Sequence, residues 1–247
     1  MLLQTLIENL PIAVRSGSAD AEVRDLTDDS RRAEPGMLFI ARGALDERAR
    51  GYVSMAVEGG GVAVLTQAGD MDAETLDLPD GVTHLVTDTG VAVDQRLAGQ
   101  IAERFFGQPA SKLTLIGITG TNGKTTTATI TQHLLRAAGR KPGLLGTVHL
   151  DTGHEGGPRA AELTTPGAID LSRLLAEMVA HGCDSAVMEV SSHALHQGRT
   201  DHLRFAAAGF TNLTQDHLDY HGTLEAYGRA KARLFTQLEA DGVAVLN

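Results

Sequence analysis

The stretch Gly117-Ile118-Thr119-Gly120-Thr121-Asn122-Gly123-Lys124-Thr125-Thr126-Thr127 (GITGTNGKTTT) decides how this chain is read. Residues 113–119 before it are β-rich. After it, Ile130, Leu134, Leu135 and Ala138 recur on one side of a helix. Strand, glycine loop and helix in that order are what a phosphate cradle requires. The strict pattern G-x-x-x-x-G-K-[ST] is not met, because counting back from Gly123 puts Ile118 where the first glycine belongs. The physics survives in Gly120-Thr121-Asn122-Gly123-Lys124-Thr125. Glycines let the backbone curl so that consecutive N–H groups face one phosphate, Lys124 reaches the outer phosphates, and the Thr125 hydroxyl is available to Mg2+. The plain alternative is a glycine-rich turn carrying a solvated lysine.

Downstream, a short apolar run lies near Leu144, followed by a helix with Leu171, Leu174, Leu175 and Met178 on one face and a strand over 185–190. A strand over 205–210, a helix over 224–238 and a last run over 243–246 complete the pattern. The alternation predicts an α/β fold with a mostly parallel, doubly wound sheet. Upstream, short apolar runs at 37–41, 61–65 and 84–87 alternate with Gly- and Asp-rich turns, as in a smaller α/β domain. Val93, Leu97, Ile101 and Phe105 stack on one face of its closing helix, which Gly107 and Pro109 stop. The expected division is therefore residues 1–109 and residues 110–247. The opening MLLQTLIENLPIAV reads as a short amphipathic helix. The chain stops at Asn247, at the end of a predicted strand where an α/β domain would continue, so a piece of a longer protein is expected.

Hydrophobic residues at 42% and charged residues at 21% are those of an ordinary globular chain. Aromatics at 4%, without Trp, and a net charge of −10 argue against a nucleic-acid platform. The single cysteine, Cys183, excludes an internal disulfide and fits a reducing compartment; it reads as a core residue. No apolar run has the length of a membrane span. A cytoplasmic monomer that binds neither membrane nor nucleic acid is expected.

Other residues carry two readings each. Glu189 ends a hydrophobic strand, where P-loop enzymes place an acidic Mg2+ ligand, or it is a solvated strand end. His217-Leu218-Asp219-Tyr220-His221 lacks the glutamate that a zinc protease of H-E-x-x-H type needs as its base. Lys231, alone, reads as a surface lysine pairing with Glu225 or Asp219. Asp29-Ser30-Arg31 is also a common turn, and Ser191, Gln197 and Arg199 suit solvated loops. Arg199 suits a carboxylate or pyrophosphate through its planar fork.

Together these residues resemble the Mur ligase family, which includes folylpolyglutamate synthases. The resemblance is carried by TGTNGKTT, then Thr164-Thr165-Pro166, Met188-Glu189-Val190-Ser191-Ser192-His193, Phe210-Thr211-Asn212-Leu213 and Asp216-His217-Leu218-Asp219-Tyr220-His221. Upstream it is carried by Asp29-Ser30-Arg31 and Pro35-Gly36-Met37-Leu38-Phe39. It covers nearly the whole chain but about half the family's usual length. It implies an ATP- and Mg2+-dependent ligase of peptidoglycan synthesis, and so of cell-wall biogenesis, cell shape and division. The implied reaction adds a diamino acid, meso-diaminopimelate or L-lysine, to UDP-N-acetylmuramoyl-L-alanyl-D-glutamate through an acyl phosphate.

By the same resemblance, Gly120, Thr121, Asn122, Gly123, Lys124, Thr125 and Thr126 hold ATP. Thr125, Glu189, His217 and Lys231 hold metal, Lys231 after carbamylation by CO2, and Lys124, Lys231 and His217 are catalytic. Ser30, Arg31, Thr164, Thr165, Ser191, Gln197 and Arg199 contact the uridine-linked substrate. Asp46-Glu47-Arg48-Ala49-Arg50-Gly51-Tyr52 departs from the family's Asp-Gly-x-x-Phe pattern. The alternatives are a folylpolyglutamate-synthase-like ligase and a nucleotide-binding fragment without turnover; the isolated chain is expected to be inactive.

Overall fold

The computed structural model describes residues 1–69 and 76–247. They form two compact units, Met1–Phe105 and Phe106–Asn247. In the first, α1 (Leu3–Ile7) and β1 (Ile12–Ser16) precede β2 (Asp25–Thr27), β3 (Met37–Ile40), α2 (Glu47–Glu58), β4 (Ala63–Thr66), β5 (Thr83–Thr87) and α3 (Gln95–Phe105). The five strands lie in the order β1-β5-β4-β3-β2, parallel except for β1. The opening helix is shorter than the sequence suggests. Asn9 adopts a left-handed φ of 57° and Pro11 follows, so Ile12 and Val14 belong to β1. In α3, Leu97 and Ile101 are buried one turn apart, whereas Val93 is buried just ahead of the helix.

The second unit contains β6 (Thr114–Thr119), α4 (Lys124–Ala137), β7 (Pro142–Leu145), β8 (His149–Asp151), β9 (Arg159–Ala160), α5 (Ala168–Ala180), β10 (Ser185–Glu189), α6 (Ser192–His196), β11 (Phe205–Phe210), α7 (Leu218–His221), α8 (Leu224–Ala232) and β12 (Leu238–Leu246). Its sheet runs β12-β11-β6-β10-β7-β8-β9 and is parallel from β12 to β7. Side chains alternate across it, as a pleated strand requires. Ala186 and Met188 of β10 pack with Leu171, Leu175 and Met178 of α5, while Val187 packs with Ile118, Leu144 and Ala128 of α4. Helices therefore cover both faces. Cys183 sits in the α5-side core.

Three features of the second unit differ from the sequence reading. The apolar row of α4 faces the sheet only in part: Leu135 packs against the core of Ile118, Leu144 and Val187, Ile130 and Leu134 are 54% and 65% exposed, and Ala128 and Gln132 are buried. Gln132 is tolerated there because its amide donates to Pro142 O (3.3 Å) and Asp151 Oδ2 (3.0 Å). The helix expected over 224–238 ends at Ala232 and tightens into a 3-10 turn, Arg233–Gln237, so β12 starts at Leu238. The antiparallel β8 and β9 were not anticipated; they are three and two residues long and show no apolar alternation. Among the described residues no helix is long and apolar enough to cross a membrane.

Candidate functional site

The glycine loop joins β6 to α4 and is fixed from the side by the segment after β11. Thr121 N–H donates to Asn212 O (2.9 Å), Asn122 N–H to Asn212 Oδ1 (3.0 Å), and Thr214 N–H to Thr121 Oγ1 (3.0 Å). The Thr211 hydroxyl donates to Asn122 O at 2.6 Å. The amides of Thr121 and Asn122 are thus taken by the protein itself. The N–H groups of Lys124, Thr125 and Thr126, at the positive end of α4, have no protein acceptor among the described residues. An anion meets its free backbone donors there, later in the loop than the glycine spacing alone suggests.

Gly120 has a φ of +142°, and a Cβ at this position would lie 1.9 Å from Thr211 Oγ1. Gly120→Ala is therefore expected to destabilise the chain by about 3 kcal/mol through backbone strain and overpacking. Urea unfolding of the variant measures this, and a stability equal to wild type would show that the loop has room to shift.

Two lysines converge on one carbonyl. Lys124 Nζ donates to Gly120 O (3.0 Å) and Thr121 O (2.9 Å), and Lys231 Nζ donates to Gly120 O (2.7 Å). Lys231 is 1% exposed and lies 4.3 Å from the Tyr227 ring centroid, so it is no surface lysine. Burial, then the like charge of Lys124, pulls its pKa down to about 7 against the opposing pull of Asp216. Burial likewise lowers the pKa of Lys124, with Glu189 and Asp216 opposing.

Glu189 at the end of β10 is 1% exposed. Its carboxylate accepts from Thr125 Oγ1 (2.9 Å), Thr147 N–H (2.8 Å) and Thr147 Oγ1 (3.0 Å). Hydroxyl and carboxylate oxygens brought together in this way are the hard donors that Mg2+ prefers. Thr125 and Glu189 therefore fit a divalent cation.

His217 lies on the segment between β11 and α7. It adopts a left-handed φ of 49°, lies 3.6 Å from the Asp216 carboxylate and packs against His193 at 4.8 Å between ring centroids. No hydrogen bond joins it to Thr125, Glu189 or Lys231, and the described residues hold no metal-ready cluster of three or more His, Cys, Asp or Glu. The His217 ring lies 6.1 Å from that of Tyr227, over which Lys231 Nζ sits at 4.3 Å, and the neighbouring Asp216 carboxylate acts, against burial, to raise the pKa of both Lys124 and Lys231. His221 Nε2 lies 3.0 Å from Ser192 Oγ, a structural contact.

The expected substrate residues of this unit form one network beside Glu189. Thr165 Oγ1 donates to Glu189 O (2.9 Å) and accepts from Ser191 N–H (3.1 Å). Arg199 donates to Thr165 O (2.7 Å) and to Gln197 Oε1 (2.9 Å), and Gln197 donates to Tyr220 OH (3.3 Å). Thr164 Oγ1 is 3.1 Å from Thr147 Oγ1, whereas Ser191 Oγ caps α6 by accepting from Ala194 N–H. In the first unit, Ser30 is buried with its hydroxyl 3.4 Å from Met55 Sδ. Arg31 is held by Asp29 at 2.6 Å, and that guanidinium lowers the Asp29 pKa to about 2.

The residues that sequence reasoning gave no role are Thr147, Asp216, Thr211 and Asn212. The last three lie inside stretches that carried the resemblance; nothing in the sequence marks Thr147.

The family model described as "Mur ligase middle domain" matches residues 118–247, more than half of the chain. A UDP-N-acetylmuramoyl-L-alanyl-D-glutamate–2,6-diaminopimelate ligase from Synechococcus elongatus is 43% identical, over 100% of this chain and 49% of its own length. The enzyme of the same name from Geobacillus thermodenitrificans is 42% identical over 96% of this chain and 46% of its own. The chain spans about half the length of the curated relatives it matches. A solved structure titled as that ligase superposes with a TM-score of 0.75 at 30% identity, covering 100% of this chain and 47% of that one. MurF from Acinetobacter baumannii shares the fold, with a TM-score of 0.58 at 23% identity over 91% of this chain and 43% of that one. By the match across residues 118–247, the chain belongs to the Mur ligase family.

Proposed function

We propose that the chain carries the nucleotide-handling part of an ATP- and Mg2+-dependent ligase. The reaction joins a diamino acid to UDP-N-acetylmuramoyl-L-alanyl-D-glutamate during peptidoglycan synthesis. Residues 1–109 serve as the uridine-substrate domain and residues 110–247 as the ATP domain. The observation that carries the reading is the Lys124 ammonium on Gly120 O beside the free amides of Lys124, Thr125 and Thr126. The Lys124 ammonium and three unpaired N–H groups around one loop suit a polyphosphate.

Bound ATP supplies the phosphoryl group that activates the substrate carboxylate as an acyl phosphate. The chain's own residues bind and orient. Gly120, Thr121, Asn122 and Gly123 shape the loop, Lys124 neutralises charge building between two anionic partners, and Thr125 with Glu189 holds Mg2+. Thr164, Thr165, Ser191, Gln197 and Arg199 receive the substrate; Arg31 does so in the other domain by exchanging Asp29 for a phosphate. Burial, which brings the Lys231 pKa down to about 7, makes the neutral amine that carbamylation needs accessible near neutral pH, and the carbamate would be an anionic metal ligand. His217, near the Tyr227 ring that Lys231 faces, would complete the metal ligands.

Calorimetric titration of the chain with ATP, with and without MgCl2, tests the reading. Saturable, Mg2+-enhanced binding is expected, and no heat in either case would end it. Intact mass spectrometry under CO2 reports the Lys231 adduct; an unmodified lysine in the metal-loaded protein would remove that part.

A further inference from the structure

We infer that Thr147, at the end of β7, is a positioning residue that sets the Glu189 carboxylate for the divalent cation and ties it to the Thr164 loop. The inference rests on the nucleotide reading above. Its backbone N–H donates to Glu189 Oε1 (2.8 Å) and its hydroxyl to Glu189 Oε2 (3.0 Å), so both carboxylate oxygens are held by one residue. Two donors from one residue fix the plane of the carboxylate, and Oε2 is left facing the Thr125 hydroxyl at 2.9 Å. The same Thr147 hydroxyl lies 3.1 Å from Thr164 Oγ1. The hydroxyl's one proton goes to the carboxylate, which can only accept, and its lone pairs accept from the Thr164 hydroxyl, so Thr164, Thr147 and Glu189 form one hydrogen-bonded chain.

A second observation points the same way. Gly146 precedes Thr147, and a Cβ there would lie 2.7 Å from Glu189 Oε1. The chain is bare at the one place where a side chain would push the carboxylate out of the Thr147 clamp. Thr165 approaches from the other side, its hydroxyl on Glu189 O at 2.9 Å and accepting from Ser191 N–H at 3.1 Å. The acid at the end of β10 is thus held by its neighbours before any cation arrives. Groups that orient a metal ligand in this way change metal affinity by about 10- to 100-fold when removed.

Thr147 is exposed on its outer side, so Thr147→Val keeps the shape and the backbone donor and removes only the hydroxyl. ADP binding to the 247-residue chain is titrated with EDTA and again with MgCl2, for wild type, Thr147→Val, Thr147→Ser and Gly146→Ala; thermal melts confirm folding. In Thr147→Val the Mg2+-dependent gain in ADP affinity is expected to fall about 10-fold while metal-free affinity is unchanged. Thr147→Ser is expected to restore the gain, and Gly146→Ala to lose it with every hydrogen-bonding group retained. An undiminished gain in Thr147→Val, or an equal loss with and without Mg2+, overturns the inference. If wild type itself binds no ADP, the nucleotide reading fails and the inference falls with it, a result distinct from an unaffected variant.

Discussion

Lys124→Ala in the whole enzyme is expected to lower turnover by about 1,000-fold or more, because each step places negative charge between two partners that are already anionic. The effect should fall on turnover rather than on folding. The Lys124 ammonium is half-buried, donates only to the carbonyls of Gly120 and Thr121, and has a pKa lowered first by burial. Removing it relieves a charge that sits uncomfortably near Lys231, so the melting temperature should stay the same or rise. Steady-state phosphate release and a thermal melt of the same sample check both halves. Near-normal turnover would mean that the polyphosphate lies elsewhere.

Asp151→Ala is expected to cost about 1–3 kcal/mol of stability, because it leaves the buried Gln132 amide short of an acceptor while Arg136, 46% exposed, turns to water. The Asp151 carboxylate is 5% exposed and accepts from Arg136, Gln132 Nε2 and Gly153 N–H. Burial alone would raise its pKa, but the donations from Gly153, Arg136 and Gln132 outweigh burial and hold it below 3.8. The folded form therefore takes up its proton at lower pH than the unfolded form. The contribution is complete above 3.8 and drains away as the pH falls through the folded-state value. Denaturation at neutral pH should show the full gap between wild type and variant, and strong acid should narrow it. A gap that widens in acid would contradict the argument. Gln132 and Arg136 lie on α4, so this carboxylate also pins the far end of the helix whose first turn faces the phosphate site.

The phosphate loop was legible because its parts are consecutive: a strand, two glycines, a lysine and a helix need no tertiary information. The two-sided sheet was legible because Ala186, Val187 and Met188 read as an unbroken apolar run. The inner face of α4 was only partly legible, since Gln132 is buried by virtue of Pro142 O and the Asp151 carboxylate, ten and nineteen residues away in sequence. Lys231 read as a surface residue on spacing alone; its burial depends on Tyr227 and on Gly120, 111 positions upstream. Thr147 and Glu189 meet because β7 and β10 are neighbours in the sheet, although 42 residues separate them. No local pattern announces such a pair.

The fastening of Thr121 and Asn122 by Asn212 bears on the thermodynamics of ligand capture. A loop whose curvature is set by its own side props surrenders little motional freedom when an anion arrives, so the entropic penalty of capture is small. Asn212→Ala should make nucleotide uptake more costly in entropy, although Asn212 need never touch the nucleotide itself.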